Sequence, residues 1–156
     1  MPSRKIELLE NIPYHIYNRG LNEQIIFHTP QDYDRFIQKI KFYLIKTPSI
    51  EILAFSLIPN HFHLLLQSSE SGLEISKFMR KLQQSHAMYF NSKYKSGLKS
   101  PVFEGRFKAK IIAHEDYLHT VFNYIELNPI KHNIVSDIKK WPYSSFHIHL
   151  SPDLEI

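Results

Sequence analysis

Residues 49–67, SIEILAFSLIPNHFHLLLQ, hold two apolar runs of strand length separated only by Pro59-Asn60. Two such runs joined by a tight turn make an antiparallel hairpin, which requires a sheet. Strand side chains alternate between faces, so Phe62, Leu64 and Leu66 share one face, turned toward helices, while His61 and His63 share the other. Residues i and i+2 of a strand lie ~6.5–7 Å apart, close enough for two imidazoles to lean onto one cation. A bare His-x-His pair is weak testimony alone, since one ring can cap the hairpin and the other can be an ordinary hydrogen-bonded histidine.

The segments around the hairpin supply the helices. YHIYNRG (Tyr14 to Gly20) is an aromatic and β-branched run stopped by a polar-Gly turn, a strand signature. In QDYDRFIQKIKFYLIK, Tyr33, Phe36, Ile37, Ile40, Tyr43 and Leu44 fall on one helical face between a Thr29-Pro30 start and Pro48. A second helix, LEISKFMRKLQQSHAMYF, repeats the spacing with Ile75, Phe78, Met79, Leu82, His86 and Tyr89. The alternation Phe107, Ala109, Ile111 within VFEGRFKAKIIA predicts a further strand. HEDYLHTVFNYIELNP predicts a final helix with an acidic first turn, a buried stripe of Leu118, Phe122 and Ile125, and a stop at Pro129. The order is β-α-β-β-α-β plus a helix: an α+β, ferredoxin-like arrangement with one antiparallel sheet. No linker divides the chain, so residues 1–156 are expected to form one domain with its core at about 12–146.

Composition excludes several classes. At 43% hydrophobic and 22% charged, the chain is ordinary globular material, and no apolar run approaches the ~20 residues of a bilayer helix. MPSRKIELLENIP alternates charge with apolar positions and fits neither a secretory nor a transit peptide, so a cytoplasmic location is expected. With no cysteine, disulfides and thiolate metal sites are excluded, and any metal has to use His, carboxylate or amide ligands. The net charge of +4 concentrates in the middle third, in Lys77, Arg80, Lys81, Lys93, Lys95, Lys99, Arg106, Lys108 and Lys110, which leans toward a polyanionic partner.

The last helix gives the histidines a chemical context. At 100° per residue Tyr117, Tyr124 and Asn128 lie along one flank, and Tyr124 and Asn128, at i and i+4, are expected to face the same space. Two imidazoles, an amide oxygen and a phenol are a set for metal-assisted attack on a phosphodiester, with positions left open for the phosphate, which suits Mg²⁺ or Mn²⁺. The bland alternatives are a rim tyrosine and an Asn that caps the helix. HIHL, His147 to Leu150, repeats the histidine spacing but has no tyrosine downstream and is expected to be surface tail.

Six blocks in order, YHIYNRG, LIPNHFHLLL, FMRKLQQSHAMYFN, PVFEGRFKAKII, NYIELNP and WPYSSF, resemble the single-tyrosine transposases of the HUH superfamily, in particular the REP-associated branch. The resemblance runs from Pro13 to about Phe146. It implies nicking and joining of single-stranded DNA at hairpin-forming sequences through a 5′-phosphotyrosine link, with a divalent metal. It places the nucleophile on Tyr124 and the metal ligands on His61, His63 and Asn128; Gln is frequent in relatives at the last position, and Asn is shorter. A homodimer is expected from relatives that pair sheets edge to edge, with the tyrosine helix serving either its own histidines or the partner's.

Tyr14, Tyr17, Asn18, Arg19, Arg80, Gln84, Arg106, Lys108 and Lys110 are candidates for contacting phosphates or stacking bases. Glu104 either orients a ligand or pairs with Arg106. Two other readings stand beside the enzyme: a non-catalytic module binding single-stranded nucleic acid on its sheet, and a small metal-binding domain. The first lacks the aromatic-glycine signature on the third strand, and the second leaves Tyr124 and the basic residues idle.

Overall fold

The computed structural model describes residues 7–147. In chain order the elements are β1 (Tyr14–Arg19), α1 (Pro30–Lys46), β2 (Ile50–Ile58), β3 (His61–Ser68), α2 (Leu73–Tyr94), β4 (Lys108–Ile111), α3 (Glu115–Glu126) and a one-turn α4 (Asn128–Lys131). The strands form one antiparallel sheet in the order β2-β3-β1-β4, the ferredoxin-like topology expected of the sequence. The extra helix lies on the second face of that sheet, so both faces are covered.

Strand parity builds the larger core. Tyr14 and Ile16 of β1, Phe55 and Leu57 of β2, and Phe62, Leu64 and Leu66 of β3 pack against Phe36 and Ile40 of α1 and Phe78, Met79 and Leu82 of α2. The opposite face holds a smaller cluster in which Ala54, Leu65 and Ile112 meet Val121 and Ile125 of α3. The near-continuous apolar run of β2 reflects burial on both faces. It also contains a register shift between Ile52 and Ala54, where the extra residue Leu53 switches which positions face which side.

A buried carboxylate joins the two large helices. Asp32 is fully buried and accepts from the His28 and Thr29 amides at the start of α1, from the hydroxyls of Tyr89 and Tyr94, and from Lys93 Nζ at 2.8 Å. Those partners from the far end of α2 carry the helix to Tyr94, one turn past the expected end at Phe90. Gly20, which ends β1, is required by close packing: a Cβ there would meet Gln24 O at 2.1 Å.

Three expectations need correction. The strand expected across residues 102–113 shrinks to four residues because Gly105 takes a left-handed φ of 67° and its carbonyl is bound by Asn18 Nδ2. Phe107 is buried in the larger core, whereas Ile111 is 47% exposed at the outer edge. In the last helix Val121 and Ile125 form the buried stripe, with Leu118 and Phe122 only half-buried against it. That helix ends at Glu126; Leu127 turns (φ −95°, ψ 6°) and Pro129 lies in the first turn of α4.

The WPYSSF block explains itself structurally. Leu57 N donates to Tyr143 O and Ser145 N to Phe55 O, so residues 143–145 cover the outer edge of β2. Tyr143 stacks on Tyr33 at 4.1 Å and the Trp141 indole donates to Leu57 O. Ser145 Oγ donates to the buried carboxylate of Glu126 at 2.7 Å, tying the end of α3 to this edge. The Phe55–Leu57 part of the β2 edge is therefore already paired, whereas the opposite edge of the sheet, β4, carries Lys108 and Lys110. Within the HIHL segment, His147 Nε2 bonds Trp141 O, and residues 148–150 lie outside the described residues.

His86 sits in the aromatic core between Phe27 and Phe36, 1% exposed, its Nε2 bonded to Ile26 O at 2.8 Å. Burial lowers its pKa from 6.5 to about 4, with the Ile26 carbonyl pulling weakly the other way. Between those values the unfolded chain binds a proton that the folded chain refuses, so stability is whole above pH 6.5 and falls as pH drops toward 4. The loss expected from this residue is on the order of 2–3 kcal/mol. Urea titrations across that range should show a shallower pH slope in His86→Gln, which keeps a donor toward Ile26 O but cannot titrate. An unchanged slope would place the proton uptake elsewhere.

Candidate active site at the histidine face of the sheet

His15, Tyr17 and Arg19 of β1 share the sheet face of His61 and His63, because Tyr17 pairs directly with His63 and Arg19 with His61. Tyr17, Arg19, His61 and His63 line a cleft of about 510 Å³ with Asn60, Glu104, Lys108, Tyr124 and His132, while His15 stacks on His63 beneath it. Tyr124 arrives from α3, 38% exposed, with its ring centroid 5.9 Å from His63 and 6.1 Å from His15. A single chain thus brings the phenol to the histidines.

The imidazoles are held neutral. Burial, then the neighbouring His132, lowers His61 to about 4, while Asn128 acts weakly in the opposite sense. Burial drives His63 well below its ordinary range, with the surrounding histidines and Lys131 adding to the effect. Neutral rings keep lone pairs at physiological pH, as metal ligation requires. His61 Nδ1 is engaged by Asn60 Oδ1 at 2.8 Å, and His63 Nδ1 by His15 Nε2 at the same distance.

The distribution of unpaired polar atoms fits a site that takes a ligand. Of six buried side-chain atoms lacking a hydrogen bond among the described residues, three are His63 Nε2 and the Oδ1 and Nδ2 of Asn128. A fourth, Ser56 Oγ, is on the β2 residue paired with His63. Buried polar atoms are normally satisfied, so this concentration is what a site built for a ligand looks like without it. No group of three His, Cys, Asp or Glu among the described residues is arranged to hold a metal. A third protein ligand would therefore be the Asn128 amide. Together, two imidazole nitrogens and one amide oxygen fit a hard or borderline divalent ion.

A profile of the family described as "Transposase IS200 like" matches residues 9–128, most of the chain and all of the elements just described from β1 through α3. The chain belongs to the IS200-like transposase family. It is 33% identical over 105 residues to a Haemophilus influenzae protein provisionally designated a REP-associated tyrosine transposase, the match covering 62% of this chain and 59% of that protein. It is 32% identical over 98 residues to the REP-associated tyrosine transposase of Escherichia coli K12, covering 62% of this chain and 54% of that protein. The matched region therefore spans little more than half the length of these relatives. A solved REP-associated tyrosine transposase bound to a REP hairpin has the same fold, with a TM-score of 0.79 over 100% of this chain and 89% of that one at 22% identity.

Within this IS200-like chain the expected DNA-contacting residues separate into three groups. Tyr17, Arg19 and Lys108 line the cleft, and the Lys110 ammonium lies 5.6 Å from the Tyr17 ring centroid. Arg80, Gln84 and Arg106 line a second groove of about 720 Å³ between α2 and the segment preceding β4, floored by Phe103, Phe107 and Ala87. Tyr14 corrects the sequence reading, whereas Asn18 does line the cleft, though almost wholly buried. Tyr14 is 2% exposed on the helix-covered face, its hydroxyl accepting from Leu9 N. Asn18 is 1% exposed and bonds Gln83 Oε1, Gly105 O, Arg19 N and Lys108 Nζ, which makes it a brace between cleft and groove. Glu104 pairs with Arg19, and Glu23 completes the clamp at 3.1 Å.

The i, i+4 argument for Asn128 also needs revision. Tyr124 and Asn128 stand on separate helical segments, and the turn at Leu127 leaves the phenol exposed while burying the amide completely. Sequence reasoning missed His15, His132 and Lys131. His132 stands with its ring 4.7 Å from His61, and Lys131 Nζ lies 4.4 Å from the centroid of the Tyr124 ring. Parity on β1 could have flagged His15, two residues before Tyr17; Lys131 ends α4 and His132 caps it, a helix whose existence the sequence did not announce.

Proposed function

We propose that this chain cleaves and rejoins single-stranded DNA beside hairpins, with Tyr124 as nucleophile and His61, His63 and Asn128 holding a divalent cation. The observation that carries the reading is the approach of the Tyr124 ring to within 5.9 Å of His63, beside the concentration of unpaired ligand atoms. When bound, Mg²⁺ or Mn²⁺ would polarise the phosphoryl oxygen and offset the charge that develops on it. The chain's own residues do the rest. The Tyr124 oxygen bonds the phosphorus, the bond from phosphorus to the 3′ oxygen breaks, and the phenolic proton is balanced by the one gained on the departing 3′ hydroxyl. The ester so formed retains the energy of the phosphodiester, so a 3′ hydroxyl can reverse the step without ATP.

Lys131 beside the phenol, and Lys108 and Lys110 around the cleft, supply positive charge along the path of the backbone. The second groove, with Arg80, Gln84 and Arg106 over an apolar floor, suits a further unpaired stretch of the same strand. A homodimer is not needed to assemble the cleft, since one chain supplies every residue named. No helix among the described residues is long and apolar enough to cross a membrane, which agrees with work on chromosomal DNA.

The test is incubation with labelled hairpin oligonucleotides bearing single-stranded flanks, in Mn²⁺ or Mg²⁺, followed by a denaturing gel. A protein-linked band that forms with either ion and is abolished by a chelator is the expected result. Retarded hairpin DNA in a native gel with no covalent band for any flank would replace this reading with the non-catalytic binding module.

A further inference from the structure

We propose that His15 is a positioning residue for the site, holding His63 in the tautomer whose Nε2 lone pair is presented to the cation; this rests on the reading that His63 is a metal ligand. The contact is His15 Nε2 to His63 Nδ1 at 2.8 Å, with the rings stacked at 5.1 Å and both residues buried. Its geometry follows from the sheet. His15 pairs with Leu65, which makes it the diagonal neighbour of His63 on the same face, within reach of ring atoms. β1 is bonded to β3 on one side and β4 on the other, so its side chains stand on a rigid base.

Two neutral imidazoles joined by one N···N contact share a single proton and have two arrangements. If His15 donates, His63 carries its own proton on Nε2, the atom without a partner, and a cation is repelled from that position. If His63 donates from Nδ1, its Nε2 keeps a lone pair. The second arrangement avoids a buried unsatisfied N–H, a fault that costs about 1–3 kcal/mol. It also leaves the remaining proton on His15 Nδ1, which is not among the buried unpartnered atoms.

Partners that orient metal-bound histidines are usually carboxylates, carbonyls or water. A neutral imidazole in that role fixes the tautomer without adding negative charge beside a cation that has to attract phosphate.

The experiment uses the whole chain, with Mn²⁺ as probe. In the metal-free protein, ¹⁵N-edited NMR of the histidine rings should show His63 protonated on Nδ1. His15→Phe, which keeps a ring but removes the acceptor, should weaken Mn²⁺ binding by about 10- to 100-fold in protein whose circular dichroism shows the fold retained. His15→Gln, whose amide oxygen can accept the same proton, should recover much of it. His63 protonated on Nε2 in the wild type, or Mn²⁺ affinity equal in wild type and His15→Phe, overturns the positioning role alone. Wild-type protein that binds no Mn²⁺ overturns the metal reading and this inference together.

Discussion

Tyr124→Phe should eliminate the covalent adduct with hairpin DNA and reduce strand cleavage by roughly 10⁴-fold or more, the scale of removing a nucleophile that no neighbour replaces. The substitution is mild for the fold. Tyr124 is 38% exposed, and phenylalanine keeps the ring against His63, His15 and Lys131. Hairpin affinity and melting temperature should therefore stay near wild type, which separates lost chemistry from lost structure.

The sharpest competitor is Tyr17. It also lines the cleft, with its ring 6.0 Å from His63. Mass spectrometry of the DNA-linked peptide decides between them: linkage on residues 114–131 is expected, and linkage on the β1 peptide, or an adduct that survives in Tyr124→Phe, would reassign the nucleophile. Tyr117, 49% exposed at the opposite end of α3, is the neutral control.

The largest effect on stability is expected at Asp32. Its carboxylate is fully buried, and burial by itself favours the neutral form; the Lys93 ammonium, then the Tyr94 and Tyr89 hydroxyls, outweigh that and hold its pKa far below the ordinary carboxylate range. Asp32→Ala removes all of these acceptors at once. It strands the hydroxyls and the His28 and Thr29 amides just before α1, and leaves Lys93 without its counter-ion. Hydrogen bonds to a charged acceptor contribute about 1.5–3 kcal/mol, and a loss of that size, with Lys93 free to turn toward Thr29 and Gln31, consumes a large part of a small domain's stability.

The pH dependence follows the depressed pKa. Asp32 contributes fully above the unfolded carboxylate pKa of about 3.9, and the contribution is lost as pH falls below it toward the folded value. Urea denaturation should show a wide gap between wild type and Asp32→Ala at pH 7 that narrows below pH 4. A gap under about 1 kcal/mol at neutral pH would mean that the helices dock without this carboxylate.

The site was partly legible beforehand because its legible parts depend on local periodicity. His61 and His63 share a face through strand alternation, and Tyr124 lies beside the stripe of α3 through helical spacing; neither rule needs the rest of the chain. Tyr14 shows the rule misapplied. Its alternation with Ile16 already put it on the buried face, yet an aromatic residue in a basic protein was read as a stacking platform.

By itself, the sequence determined the order of elements, the ferredoxin-like sheet and which face of β3 carries the imidazoles, since hydrophobic period, Pro and Gly punctuation and turn residues act over a few positions. Tertiary structure alone decided that His15 meets His63 across 48 residues, that Asp32 draws α2 out to Tyr94, and that the turn at Leu127 buries Asn128 while exposing Tyr124. Those outcomes depend on strand register, on the desolvation of paired polar groups and on the fit of α3 against the sheet. Such quantities exist only once distant segments share one volume.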